Sequence, residues 1–117
     1  MTEKEFELKR IEQEFSKCPV LPFCNVKSPE EIMIPMADGL SLRTILYRPD
    51  VEVSVPTIVV RTCYPKSDYI YRATALKYAK RGFAYIYQYC RGTGGSEGEW
   101  EPNVNERADG KQTIDWV

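Results

Sequence analysis

Tyr64, Arg91, Ser96 and the glycines at 92, 94, 95 and 98 are the residues whose types and spacing suggest chemistry. The glycines follow the apolar run Phe83–Tyr89 almost at once. Glycine lets backbone N–H groups close on an anion, so a phosphate cradle is the first reading to test. The spacing fails it. There is no G-x-x-x-x-G-K-[ST], and in the G-x-G-x-x-G register Glu97 stands where the last glycine belongs. Glu97 and Glu99 would also repel a phosphate. The favoured reading is a wide turn at the C-terminal edge of a parallel sheet, where ligands gather in open α/β folds. Ser96 fits G-x-S-x-G as a string, but a nucleophile on that pattern needs a strand running straight in and a helix running straight out. Neither flanks it, and the chain has no histidine to serve as its base. Ser96 therefore reads as a loop-capping hydroxyl. Arg91 can hold the loop through several N–H donors, with Asp109 and Glu106 as partners, or it can bind a substrate carboxylate. The structural role is favoured, because arginine suits buried ion pairs. For Tyr64 two readings stand level. Its phenol can point over the sheet edge at a developing negative oxygen, or its ring can pack a turn beside Pro65.

These residues need elements to position them. Leu8, Ile11 and Phe15 recur at helical spacing, with Phe6 flanking, and predict a helix over residues 3–17 that packs on its own domain or on other parts of a longer chain, in preference to a partner surface. It ends before Cys18-Pro19, and an irregular connection through Pro19, Pro22 and Pro29 follows. Glu31 to Met36 and Leu40 to Tyr47 alternate around Asp38-Gly39, which predicts a hairpin. Leu40, Leu42, Thr44 and Leu46 fall on one face of its second strand. Pro35 lacks a ladder N–H and puts the first strand at an edge. Thr57–Thr62 is β-branched without alternation, as in a strand covered on both faces. Asp68 is placed to cap a helix over 69–80, which Gly82 closes. Phe83–Tyr89 is a second covered strand. A helix begins again near Glu106, with Ala108, Ile114, Trp116 and Val117 as its apolar positions. Strand-helix-strand with covered strands implies a right-handed parallel crossover. The fold class is α/β: an antiparallel hairpin followed by a parallel βαβ unit in an open mixed sheet. The N-terminal helix and connection occupy 1–30, and the sheet-bearing part 31–117.

Bulk properties exclude several classes. A chain of 117 residues is about one small domain. A net charge of −1 draws it neither to nucleic acid nor to an anionic membrane. No apolar run approaches the length of a membrane span. The amphipathic N-terminus lacks a signal peptide's apolar core, so the cytoplasm is the expected location. Cys18, Cys24, Cys63 and Cys90 form no C-x-x-C pair and read as thiols in a reducing compartment. No metal or cofactor site is expected.

Two blocks carry a family resemblance. One runs Asp38-Gly39-Leu40-Ser41-Leu42 through Tyr47-Arg48-Pro49 to Arg61-Thr62-Cys63-Tyr64-Pro65-Lys66. The other runs Ala79-Lys80-Arg81-Gly82-Phe83-Ala84 through Cys90-Arg91-Gly92-Thr93-Gly94-Gly95-Ser96-Glu97-Gly98-Glu99-Trp100 to Asp109-Gly110 and Thr113-Ile114-Asp115-Trp116. Over residues 31–117 the chain resembles the N-terminal part of the Xaa-Pro dipeptidyl-peptidase and cocaine-esterase-like serine hydrolases. The resemblance implies the N-terminal half of an α/β-hydrolase fold, small-molecule or peptide substrates, and a Ser-Asp-His triad. It implies that Tyr64 donates its hydroxyl to the oxyanion. It places the nucleophile on the strand after the helix that begins near Glu106, with the acid and histidine later still, so the chain by itself is expected to be inactive. Two positions depart from the pattern: Tyr89, where the family usually has an aspartate, and Cys63, where it often has proline. The first bears on loop geometry more than on fold. The alternative is a non-catalytic binding module that keeps half the fold. Strand 57–62 would present an open edge, through which self-association is expected.

Overall fold

The computed structural model describes residues 1–18 and 23–117. The part of the expected connection that carries Pro19 and Pro22 lies outside them.

Alternation in one strand organises the sheet. Strand β4 (Ala84–Tyr89) is buried along its whole length. It lies between β2 (Ser41–Tyr47), antiparallel, and β3 (Thr57–Thr62), parallel, while β1 (Glu30–Pro35) closes the far side in the order β1-β2-β4-β3. The expected mixed sheet is therefore present. Pro35 does lie on an edge strand. Gly39 turns the hairpin at φ 91°, a conformation that costs glycine nothing.

Tyr85, Tyr87 and Tyr89 project from β4 to one side. There they pack with Ile45 and Tyr47 of β2 and with Ala75 and Ala79 of α2 (Asp68–Lys80). Tyr71 stacks on Tyr87 with ring centres 5.7 Å apart, and Tyr78 on Tyr85 at 5.6 Å. Helix α1 (Glu3–Ser16) opens with a capping box between Thr2 and Glu5. It lies on α2: Ile11 is buried, and the Phe15 ring meets Tyr78 edge-on at 5.1 Å. Its apolar stripe thus serves its own fold.

The opposite face is polar at its centre. Gln88 is fully buried; its amide nitrogen donates to Thr44 Oγ1 at 3.0 Å, and its oxygen accepts from Arg61 Nε at 2.8 Å. Thr113 Oγ1 of α3 (Glu106–Trp116) lies 2.9 Å from that same oxygen.

Four expectations need correction. Strand β2 was expected to bury one face, yet Ile45 and Tyr47 are buried as well as Leu42 and Thr44. Ile45 and Tyr47 lie in the tyrosine cluster beneath α2, while Leu42 packs with Ile34 and Met36 and Thr44 accepts from Gln88 on the other side, so both faces are covered. Strand β3 is only half-buried apart from Thr62, because β4 is its one strand neighbour in the sheet. Asp68 does not cap α2; it is the first helical residue after Ser67. Its carboxylate turns to β4 instead and accepts from Tyr89 at 2.6 Å and Tyr87 at 3.2 Å. Helix α3 turns Asp109 and Thr113 to the sheet, and leaves Ala108 and Ile114 exposed, with Trp116 and Val117 beside them. The facing sheet is lined by Gln88 and Arg61, so polar side chains are the ones that gain partners by burial. Among the described residues no helix is long and apolar enough to cross a membrane.

Burial works against the Asp68 carboxylate, but the Tyr89 hydrogen bond, the Arg72 charge and the Tyr87 hydrogen bond outweigh it and hold its pKa below the ordinary value. A depressed carboxyl stabilises the fold fully above its unfolded value of about 3.9, and less as pH falls through the folded value. Asp68→Asn should therefore lose less stability than the parent between neutral pH and pH about 3. Urea midpoints at the two pH values test this; an unchanged pH dependence would count against the carboxylate's role.

Candidate active site

Strands β3 and β4 run parallel and end side by side at Thr62 and Tyr89. Both chain exits therefore rise at one sheet edge. The first carries Tyr64. This residue adopts φ −115° and ψ 79° before a 3-10 turn, Pro65–Ser67, that leads straight into α2. Its N–H donates to Thr62 Oγ1 at 3.0 Å, and its carbonyl accepts from the Ser67 N–H at 3.0 Å. The ring is left outward, with 66% of the residue exposed. The reading of Tyr64 as a packing residue beside Pro65 does not fit that exposure.

The second exit carries the glycine loop. Arg91 donates Nε and Nη2 to the two carboxylate oxygens of Asp109, at 2.7 and 2.9 Å. Its Nη1 donates to Asp38 of the hairpin turn at 2.5 Å. Asp109 is 1% exposed, so this fork-to-fork pair is a buried one. The hydrogen bonds to Asp109 and then Asp38 hold the guanidinium even more firmly charged than usual. Asp38 answers with a carboxyl held below its ordinary range by Arg91. Arg91 thus pairs with Asp109, one of the two acids its place in the sequence offered as partners. Glu106 is not a second partner: it pairs with Arg61 at 2.7 Å, because Arg91 already faces two carboxylates.

Ser96 and Glu97 replace the end of β4 as partners of β2. Ser96 Oγ donates to the Tyr89 carbonyl at 2.6 Å and accepts from the Arg43 N–H at 2.8 Å. Glu97 N–H donates to the Ser41 carbonyl at 3.0 Å, while its carboxylate accepts the Ser41 N–H at 2.6 Å. The ladder is thus continued by a hydroxyl and an acid after the strand itself departs. Ser96 is the capping hydroxyl the sequence suggested, not a free nucleophile. Glycine is required at two points. A Cβ on Gly92 would stand 2.4 Å from the Trp100 nitrogen, and one on Gly94 would stand 2.4 Å from the Tyr89 ring. Tyr89 thereby lies beneath the loop, with the Arg43 guanidinium 5.5 Å from its ring centre.

Cys90 is buried beside this pair of exits. Burial, then its hydrogen bond to Glu106, pushes its thiol up to about 12. It stays protonated near neutrality and is no nucleophile. All four cysteines are free thiols. Sequence reasoning did not find Thr62 or the Asp68 carboxylate as anchors of this edge. A threonine closing a strand two residues before a tyrosine was the available signal, since its hydroxyl can accept the N–H at i+2.

Residues 38–117 match the model of the X-Pro dipeptidyl-peptidase (S15) family. The chain belongs to that family. The chain is similar to a cocaine esterase from Rhodococcus sp. (strain MB1 Bresler), 37% identical over 97 residues that make up 80% of this chain and 17% of the esterase. An aminopeptidase from a marine sediment archaeon, Thaumarchaeota archaeon, superposes with a TM-score of 0.62 at 25% identity, over 84% of this chain and 20% of that one. An alpha/beta hydrolase from Penicillium sp. sh18 shares the fold with a TM-score of 0.59 at 22% identity, over 77% of this chain and 31% of that one. The chain spans about a sixth to a third of the length of these relatives. The family is one of hydrolases, and the sheet described above is part of an α/β-hydrolase fold.

Removing Asp109 leaves a mostly buried guanidinium with only the exposed Asp38 as an acidic partner, and breaking a buried pair costs up to about 3–5 kcal/mol. Asp109→Ala should lower unfolding stability by that order in urea titrations followed by circular dichroism. Asp38→Ala, at the exposed end of the same arginine, should cost much less. Equal costs would overturn the assignment of Asp109 as the buried anchor.

Proposed function

We propose that this chain is the N-terminal part of a serine hydrolase that cleaves peptide bonds after an N-terminal Xaa-Pro, or ester and acyl bonds. Tyr64 is its oxyanion donor. The observation that carries this reading is the outward phenol of a residue whose backbone is fixed on both sides, at the edge where β3 and β4 end. Attack on a carbonyl carbon moves a full negative charge onto the oxygen. A fixed O–H aimed at that oxygen stabilises the transition state more than the ground state, by about 3–4 kcal/mol for donors of this kind.

The nucleophile and base come from elsewhere. The chain has no histidine, and the Ser96 hydroxyl is engaged with the Tyr89 carbonyl. The reading puts the nucleophilic serine on a strand that follows α3 and pairs with the outer edge of β3. That position would bring the serine beside Tyr64. Arg91 and Asp109 act by holding the loop, and no cofactor enters the reaction. The chain alone is inactive in this account, and its open β3 edge is a place for self-association when no further strand covers it.

The 117-residue chain should release no chromophore from nitrophenyl esters or from Xaa-Pro-linked reporters. In the complete hydrolase that carries this segment, Tyr64→Phe should lower kcat by about 10²–10³ with KM little changed. Turnover by the 117-residue chain, with labelling by a serine-directed phosphonate, would overturn the proposal.

A further inference from the structure

We propose that Thr62 and Tyr71 are positioning residues that set the direction of the Tyr64 phenol; this rests on Tyr64 being the oxyanion donor. Tyr64 sits between a strand and a 3-10 turn; the turn holds its carbonyl through the Ser67 N–H, but neither element's backbone takes its N–H. Its N–H is instead taken by the hydroxyl of Thr62, two residues back, at 3.0 Å. Thr62 is the buried end of an otherwise half-buried strand. Its hydroxyl lies 2.7 Å from the Tyr71 hydroxyl on α2. A threonine hydroxyl accepts two hydrogen bonds and donates one, so it can serve both partners at once.

Tyr71 is fixed in turn. Its ring stacks on Tyr87, and the Tyr87 hydroxyl donates to the Asp68 carboxylate at 3.2 Å. The same carboxylate receives Tyr89 at 2.6 Å. A continuous path of hydroxyls and stacked rings thus ties the turn bearing Tyr64 to the core between β4 and α2. The Thr62 hydroxyl is its junction. Rotating the Tyr64 peptide would swing the phenol oxygen, at the far end of a long side chain, by more than the backbone moves. A misplacement of about 1 Å can cost up to about 10²-fold in rate.

Thr62→Val keeps the branched shape and removes the hydroxyl, while Thr62→Ser keeps the hydroxyl and removes the methyl. In the complete hydrolase, Thr62→Val should lower kcat by about 10–10²-fold with KM within about twofold. Thr62→Ser should recover most of the loss, and Tyr71→Phe should fall between them. In a Tyr64→Phe background, Thr62→Val should cost nothing further. Hydrogen exchange at the amides of residues 63–67, read by mass spectrometry, should quicken in Thr62→Val and not in Thr62→Ser. Equal costs of Thr62→Val with and without the Tyr64 hydroxyl would overturn the proposal, as would no rescue by serine. If Tyr64→Phe itself leaves kcat intact, the oxyanion reading fails. The exchange comparison then decides separately whether the hydroxyl junction holds the turn, and unchanged exchange in Thr62→Val would reject it.

Discussion

The Arg91–Asp109 pair holds together parts of the chain that have little else in common. Arg91 leaves β4, Asp109 belongs to α3, and Asp38 sits in the hairpin turn. Taking a guanidinium and a carboxylate out of water is costly, and only near-ideal geometry offsets it. The bidentate contact at 2.7 and 2.9 Å supplies that geometry. Once it forms, α3 is fixed over the sheet and the glycine loop is bounded at its start. Ser96 and Glu97 then meet β2, and the loop can cross the Tyr89 ring with no side chain in between.

Helix α3 shows why this constraint matters. It buries an aspartate and a threonine, not its apolar residues. Its hold on the sheet is directional rather than hydrophobic. An apolar contact tolerates sliding, whereas Arg61 to Glu106, Arg91 to Asp109 and Thr113 to Gln88 each permit a single register. The face beneath the site is thereby fixed by polar geometry. The face towards α2 is fixed by stacked rings.

Much of this was legible in the sequence. The hairpin, the two parallel strands and helices α1, α2 and α3 follow from periodicity, proline and glycine, and the glycine loop lies at the sheet edge where that order puts it. For Arg91 the sequence offered Asp109 and Glu106 as partners, and the observed pairing is with Asp109. The misreadings share one cause: periodicity reports which residues are apolar, not what stands opposite them. It gave β2 one buried face because nothing local shows the α2 and tyrosine cluster that covers Ile45 and Tyr47 on the other. It gave α3 an apolar inner face, where Gln88 and Arg61 select polar neighbours. It made Asp68 a helix cap, since nothing local shows two tyrosines arriving from a strand nineteen and twenty-one residues away. Tyr89 was read as a departure that put the loop geometry in question. The structure shows the loop built over its ring, with Asp68 receiving its hydroxyl.

The distribution of aromatic rings has a spectroscopic consequence. Buried Tyr47, Tyr85 and Tyr87 stack with each other or with the half-buried Tyr71 and Tyr78, while Trp100 and Trp116 are 40% and 48% exposed. Indole emission from this protein reports on its periphery, at the loop end and the last turn of α3. The rigid interior is seen through the chirality of coupled phenol transitions in the near ultraviolet. The two signals follow different parts of the molecule, so a mismatch between them would mark the outer layer loosening before the tyrosine cluster does.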